Sequence, residues 1–418
     1  MAKNEMLTFI KELKGNPKAC IMTEPLWYIP FNIYSPLASV YMYKLGVSDF
    51  EIGVILSVGM IFQVLLALIG GIVTDKLGRR LTTLLADLMS WTVPCVIWGL
   101  SQNFWWFLVA AVFNSFNMIS EIAWSSLFVE DCPEDKLVYA YSWINIAGSA
   151  CIVIMPLSYF LMQSFDTVFV MRCLYIYSAI SMTAKFVSLY LLSRETKNGI
   201  KRMAETKNVP VTKLFTGYKD VFIKIFTSSE MITALFIMLS YNITNTISGT
   251  FFGLYTTDTL GIDESFLAVF QMITTLVSII MMFTVQGKLN KLPFVPVMIF
   301  GYILFIGNNL LLIFCPQSHV VMIYLYSIIN AIAIACVSPR KDSLAVQFID
   351  KKERSRVMAL MSMIMIAVTS PFGAFTGYLS EVNRTYPFIL AILIFVITSV
   401  VILVSKSVKK LDKKEKYE

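Results

Sequence analysis

Two glutamates lie inside long apolar runs, where a charge is expensive. Glu24 falls in the run 18–44 and Glu121 in the run 104–130. Charged side chains in such surroundings mark sites of ion or solute passage by default, and a buried carboxylate can take up and release a proton. Glu24 and Glu121 are therefore the candidates for proton coupling. Glu121 also belongs to a stripe, Asn114, Asn117, Glu121 and Trp124, whose spacing of 3, 4 and 3 puts all four on one helical face. Tyr28 and Asn32, Asn242 and Asn245, Gln271, and Asn330 beside Tyr326 add polar positions to other apolar runs. Amides facing lipid would be left unpaired, so these residues are predicted to face inward. Two roles remain open for them, solute binding and bridging between helices. Arg340 and Lys341, followed by Asp342, end the run 319–346. They are candidates for a gate that pairs with Glu24 or Glu121 and weakens on protonation or solute binding; the alternative is a local cluster at the membrane surface. Arg172 is expected to pair with Asp166. Lys185 is expected to snorkel from its helix toward the surface.

Other chemistries find little support. The seven cysteines are scattered without a C-x-x-C pair, so they read as small core residues with no disulfide framework and no metal site. The single histidine, His319, lies at a predicted loop edge. No Gly-x4-Gly-Lys-Ser/Thr loop signals ATP hydrolysis. No nucleophile, metal cluster or acid/base set suggests an enzyme, and no cofactor is implied.

The elements that position these residues are membrane helices. The chain has 418 residues, of which 57% are hydrophobic and 15% charged, against about 25% charged in ordinary soluble domains. Mean hydropathy is +0.71. Apolar runs recur throughout, and the reading is an all-α polytopic membrane protein. Twelve candidate spans are counted, with limits near 18–44, 50–74, 80–101, 104–130, 137–163, 168–193, 229–256, 265–287, 294–314, 319–346, 355–380 and 385–406. With both termini in the cytosol, all but four of the 34 Lys and Arg (Lys44, Arg172, Lys185 and Arg384) fall at cytosolic ends or loops, as the positive-inside rule requires. That rule accounts for the net charge of +7 without a nucleic-acid partner. The long polar stretch 194–228 divides the spans six and six. The division runs 1–17 (an amphipathic segment or frayed tail), 18–193, the basic linker 194–228, 229–406, and a tail 407–418. A faint repeat agrees: Ser126-Leu127-x-Val129 ends span 4, and Ser343-Leu344-x-Val346 ends span 10.

Between spans 2 and 3 the chain reads Gly71-Ile72-Val73-Thr74-Asp75-Lys76-Leu77-Gly78-Arg79-Arg80. This resembles the signature loop of the major facilitator superfamily, Gly-x3-Asp-Arg/Lys-x-Gly-Arg/Lys-Arg/Lys. The resemblance covers the chain in topology but only this loop in specific residues. The corresponding stretch of the second half, Gly287-Lys288-Leu289-Asn290-Lys291, lacks the aspartate and the Gly-Arg-Arg. The resemblance implies two pseudo-symmetric six-helix bundles. It makes Gly71, Asp75, Lys76, Gly78, Arg79 and Arg80 a gating loop in which Asp75 faces the N-terminal end of helix 11, Gly78 makes the turn, and Arg79 and Arg80 meet lipid phosphates or carboxylates such as Glu130 and Asp131. It also places helices 1, 4, 7 and 10 around a central cavity.

The function that follows is secondary transport of a small solute by alternating access, with protons as a candidate coupling ion. A polar or amphipathic neutral solute, such as a sugar or glycoside, is slightly favoured. The first alternative is a proton-coupled exporter of drugs or lipophilic cations. Span 5 departs from the exporters' Gly-x3-Gly-Pro-x2-Gly-Gly motif, reading Gly148 to Pro156 with no second glycine before the proline. A non-transporting receptor or scaffold is the alternative of another class. The expected setting is the cytoplasmic membrane, with the lipid bilayer and the solute as partners and the chain as a monomer.

Overall fold

A computed structural model describes residues 13–133, 136–154, 156–208, 218–289, 292–348 and 354–409. Most of the amphipathic N-terminal segment, Asn290, Lys291 and the tail from 410 lie outside the described residues. The helices are α1 (Asn16–Thr23), α2 (Pro25–Tyr34), α3 (Ala38–Lys44), α4 (Asp49–Leu77), α5 (Arg79–Asp87), α6 (Val93–Leu100), α7 (Phe104–Asn114), α8 (Asn117–Val129), α9 (Leu137–Ala150), α10 (Pro156–Ser164), α11 (Thr167–Leu192) and α12 (Lys197–Thr206). They continue as α13 (Tyr218–Thr227), α14 (Ser229–Leu254), α15 (Phe266–Thr284), α16 (Gln286–Leu289), α17 (Phe294–Ile313), α18 (Val320–Phe348), α19 (Arg354–Val382) and α20 (Tyr386–Val404).

Among the described residues, ten helical stretches are long and apolar enough to cross a membrane. The other two expected spans are not continuous helices, and proline is the reason. Span 1 breaks into α1, α2 and α3. Pro17 and Pro25 sit in the first turns of α1 and α2, and Pro36 lies in the 3-10 turn Ser35–Leu37. Proline lacks the N–H that would continue the ladder and clashes with the preceding turn. Span 5 changes to a 3-10 turn, Cys151–Ile154, ahead of Pro156, whose missing N–H cannot continue the α ladder. Span 3 is continuous but passes through a π-helical turn, Leu88–Thr92, before Pro94.

The chain divides into two compact units, residues 1–46 with 58–215, and residues 47–57 with 216–418. The first unit is tied by aromatic packing. Trp27 stacks on Phe31 at 4.6 Å and meets Trp91 edge-on at 5.0 Å. Tyr41, fully buried, donates to the Trp98 carbonyl at 2.8 Å and packs on Tyr175. Such ring pairs add about 1 kcal/mol beyond the area they bury. The second unit is built on buried Met238, Met298, Tyr302, Ala333, Val337 and Ala391, with Phe305 stacked on Phe395 at 4.9 Å.

The start of α4 is held in the second unit by glycines. A Cβ on Gly53 would lie 2.3 Å from the Gly373 carbonyl oxygen and 2.9 Å from Gly377 Cα. Only glycine allows backbones to approach this closely, the usual device of membrane helix packing. Ser57 donates to the Ser370 carbonyl and accepts from Ala374 N at 2.7 Å. At the same end Arg384 pairs with buried Asp49 at 2.9 Å and with Asp258, while Ser380 donates to Asp49 at 2.6 Å.

Candidate functional site

In the first unit, five segments enclose a cavity of about 350 Å³. The interrupted span 1 contributes Glu24, Trp27 and Tyr28; span 3 contributes Asp87 and Trp91; α8 contributes Asn117, Ser120, Glu121 and Trp124; α9 contributes Tyr141 and Ile144; α11 contributes Lys185. Local irregularity places several of them. Glu24 is the junction between α1 and α2. Asp87 ends α5, and Trp91 lies in the π turn that follows. Such turns change which side chains share a helix face and recur at functional sites. Gly148 makes room for the Tyr28 ring, which a Cβ there would meet at 2.9 Å.

The charges are organised. Lys185 Nζ lies 3.0 Å from Glu24 Oε1, and both side chains are buried. Snorkelling of Lys185 is thus corrected: its ammonium turns inward, because a carboxylate on the neighbouring segment compensates it better than a long reach to the surface. Lys185 is also 5.8 Å from the Trp27 ring centre, within range of a cation–π attraction. Asp87 is buried and accepts a hydrogen bond from Ser120 Oγ. Glu121 is exposed in the cavity, with no ion pair among the described residues. Among the described residues, the buried Asn117 Oδ1 and Trp124 Nε1 have no hydrogen-bond partner. An acceptor and a donor thus remain on the wall beside Glu121.

The sequence stripe is split in two. Asn117, Glu121 and Trp124 line the cavity, whereas Asn114 spends its amide on the Ser90 carbonyl at 2.7 Å, a bridge between helices. The helix is interrupted at Ser115 and Phe116, so one face does not run from Asn114 to Trp124. Asn32 lies outside the cavity lining. The sequence reading missed Asp87 and Lys185 as a pair acting with Glu24. Arg172 is a further correction: it donates to the Ser101 carbonyl at 3.1 Å, while Asp166 caps α11 by accepting from Val168 N and Phe169 N.

The second unit holds a smaller polar pocket of about 30 Å³, lined by Asn245, Asn309 and Asn330 with Tyr241, Tyr326 and Phe305. Asn309 is buried, and its Oδ1 has no hydrogen-bond partner among the described residues. Asn242 lies outside this lining, and Gln271 is exposed. Lys341 pairs with Asp342 at 2.7 Å and lies 4.8 Å from the Tyr241 ring centre. Arg340 is buried and donates to the Leu289 carbonyl.

The loop 71–80 is knitted to the segment that follows span 6. Asp75 accepts from Arg79 at 3.1 Å and from Arg202 at 2.7 Å; this carboxylate raises the Arg202 pKa above its ordinary value. Arg79 also reaches Glu130 at 3.1 Å, the carboxylate partner that the sequence offered. Glu195 accepts from the backbone N–H groups of Arg79 and Arg80, both at 3.0 Å. A carboxylate there satisfies two free donors of α5 and meets its positive dipole end. Arg80 donates to the Tyr190 carbonyl at 2.8 Å and stacks over the Tyr190 ring at 3.9 Å. Gly78 has φ +88° and would place a Cβ 2.6 Å from Glu195 Oε2, so the turn requires glycine. A Cβ at Gly71 would meet nothing within 4 Å.

Comparison with known proteins agrees with this architecture. The crystal structure of the nucleoside transporter NupG has a TM-score of 0.71 at 15% identity, covering 93% of this chain and 98% of that one. A POT family transporter in complex with 5-aminolevulinic acid scores 0.68 at 17% identity, covering 94% and 98%. A bacterial homolog of the human lysosomal transporter Spinster, inward-facing and unoccupied, scores 0.67 at 11%, covering 99% and 98%. These likenesses concern the fold. No curated protein sequence matches significantly. The family model described as Major Facilitator Superfamily matches residues 26–307 and 234–418. The chain is a multi-pass, non-enzymatic membrane transporter and belongs to the Major Facilitator Superfamily.

Proposed function

We propose that this transporter carries a small amphipathic organic cation, taken up in the first-unit cavity. One observation carries the reading. The cavity gathers three carboxylates, Glu24, Asp87 and Glu121, against one ammonium, Lys185, among the rings of Trp27, Tyr28, Trp91, Trp124 and Tyr141. Lys185 is committed to Glu24, which leaves Glu121 as the anchor for a positive group and the aromatic faces for cation–π and apolar contact. Asn117 and Trp124 would complete the hydrogen bonds of a polar substituent. This reverses the order of the two solute classes that the sequence favoured.

A neutral polar solute is the second reading, supported by the amides Asn245, Asn309 and Asn330 in the second unit. NupG is named as a nucleoside transporter, a solute of this neutral kind. The wider scheme is two six-helix bundles, 18–193 and 229–406, joined by the linker 194–228, with both termini in the cytosol and the chain in the cytoplasmic membrane as a monomer. In it the loop 71–80 gates exchange between the open states, and Arg340 and Lys341 are the second unit's contribution to closing the cytosolic side. The knitting of Asp75 to Arg202 and of Glu195 to α5 supports the loop's part.

Binding separates the two solute readings. Tetraphenylphosphonium is expected to quench tryptophan fluorescence of the purified protein saturably. Glu121→Gln is expected to weaken its affinity about tenfold or more, on the scale of losing one charged hydrogen-bonded contact. Equal affinity in wild type and Glu121→Gln, or saturable binding of a neutral glycoside alone, refutes the cation reading.

A further inference from the structure

We infer that Asp87 is the group that takes up and releases a proton in this cavity. The inference deepens the transport reading by naming its coupling residue. Sequence reasoning offered Glu24 and Glu121 for this task, and the geometry disfavours both. Glu24 is held by Lys185 at 3.0 Å, so its negative charge already has a compensating ammonium. Glu121 is exposed to the cavity, where water reaches it, so it is not the buried carboxylate that the low-polarity surroundings act on most.

Asp87 differs from both. It is 5% exposed, and no cation lies within ion-pair distance of it among the described residues. The groups that face it are few. Ser120 on α8 donates to Oδ1. Lys185 on α11 and Glu24 at the α1–α2 junction act on it electrostatically, and Cys20 on α1 feels its charge in return. Glu121 lies beside Ser120 on α8 and lines the same cavity. One ammonium thus serves two buried carboxylates. With both ionised, the cluster of Glu24, Asp87 and Lys185 carries a net charge of about −1 in a medium where an uncompensated charge is costly. One proton on Asp87 removes that charge while leaving the Glu24–Lys185 pair intact. The Ser120 hydrogen bond keeps the carboxyl oriented in either state. Asp87 also lines the cavity, so its O–H can break and the proton pass to cavity water, leaving the carboxylate behind. Its place at the end of α5, just before the π turn, joins its position to a segment whose helical register is already irregular.

The test needs no solute, so its outcome is independent of the cation reading. Infrared difference spectra of the purified protein in lipid nanodiscs are recorded as pH is stepped from acid to alkaline. The wild type is expected to lose a carboxylic-acid C=O band. Asp87→Asn should abolish that band, and Glu121→Gln should keep it. Ser120→Ala should shift it to higher frequency, because a hydrogen bond to the carbonyl lowers the stretch; this variant carries the test if Asp87→Asn does not fold. A band that survives in Asp87→Asn, disappears in Glu121→Gln, or stays unshifted in Ser120→Ala overturns the assignment.

Discussion

Lys185→Met is expected to destabilise the protein by about 3 kcal/mol, the lower end of what breaking a buried ion pair from one side costs. The reason is the carboxylate left behind. Glu24 Oε1 has the Lys185 ammonium at 3.0 Å as its compensating partner, so removing the cation strands a negative charge among Trp27, Tyr28 and Trp91. The lower end applies because the site borders a cavity that water can enter. Glu24→Gln together with Lys185→Met should recover most of the loss, since a neutral amide beside a thioether strands no charge. Thermal unfolding of the four proteins in one detergent gives the double-mutant cycle. A coupling energy near zero would mean that Glu24 and Lys185 act separately, contrary to the cluster described above.

The second large effect belongs to the glycines at the start of α4. Gly53→Leu is expected to cost about 3 kcal/mol, the upper part of the range for overpacking a well-packed interior. Side chains can usually shift to accept extra atoms, but here a Cβ meets backbone, the Gly373 carbonyl oxygen at 2.3 Å and Gly377 Cα at 2.9 Å. Relief requires the start of α4 to move off α19, which also pulls on the Ser57 contacts to Ser370 and Ala374 and on the Asp49–Arg384 pair. Gly249→Ala, where a Cβ meets nothing within 4 Å, is the control and should unfold within about 0.5 kcal/mol of wild type. Equal unfolding midpoints for Gly53→Leu and the control would show that the close approach is not needed.

What was legible in the sequence follows from what a helix pattern encodes. Hydropathy and charge asymmetry pointed to a polytopic helical chain, because apolar length is a property of composition alone. The loop 71–80 was legible because its aspartate, glycine and arginines are local: Gly78 turns, and Asp75 and Arg79 pair four residues apart. Asn117, Glu121 and Trp124 were legible as a stripe and share one cavity. Asp87 and Lys185 were not. Asp87 falls in an apolar run beside a π turn, where simple 3.6-residue bookkeeping fails. Lys185 could be judged only by its distance from the helix end, and that distance does not say whether Glu24 waits on the neighbouring segment. The Glu195 cap on α5 depends on a chain reversal of more than a hundred residues that no spacing records. Span 1 appeared as one run, although two of its prolines, Pro25 and Pro36, carried the signal for its breaks.

The central claim is that this chain moves an organic cation through the cavity at Glu121. Proteoliposomes that contain the purified protein and are loaded with tetraphenylphosphonium test it most directly, under an imposed pH gradient with the membrane potential clamped. The account predicts movement of the cation that depends on the protein, follows the gradient, and falls at least tenfold in Glu121→Gln. Movement equal to that of protein-free liposomes, or transport unchanged in Glu121→Gln, would contradict it.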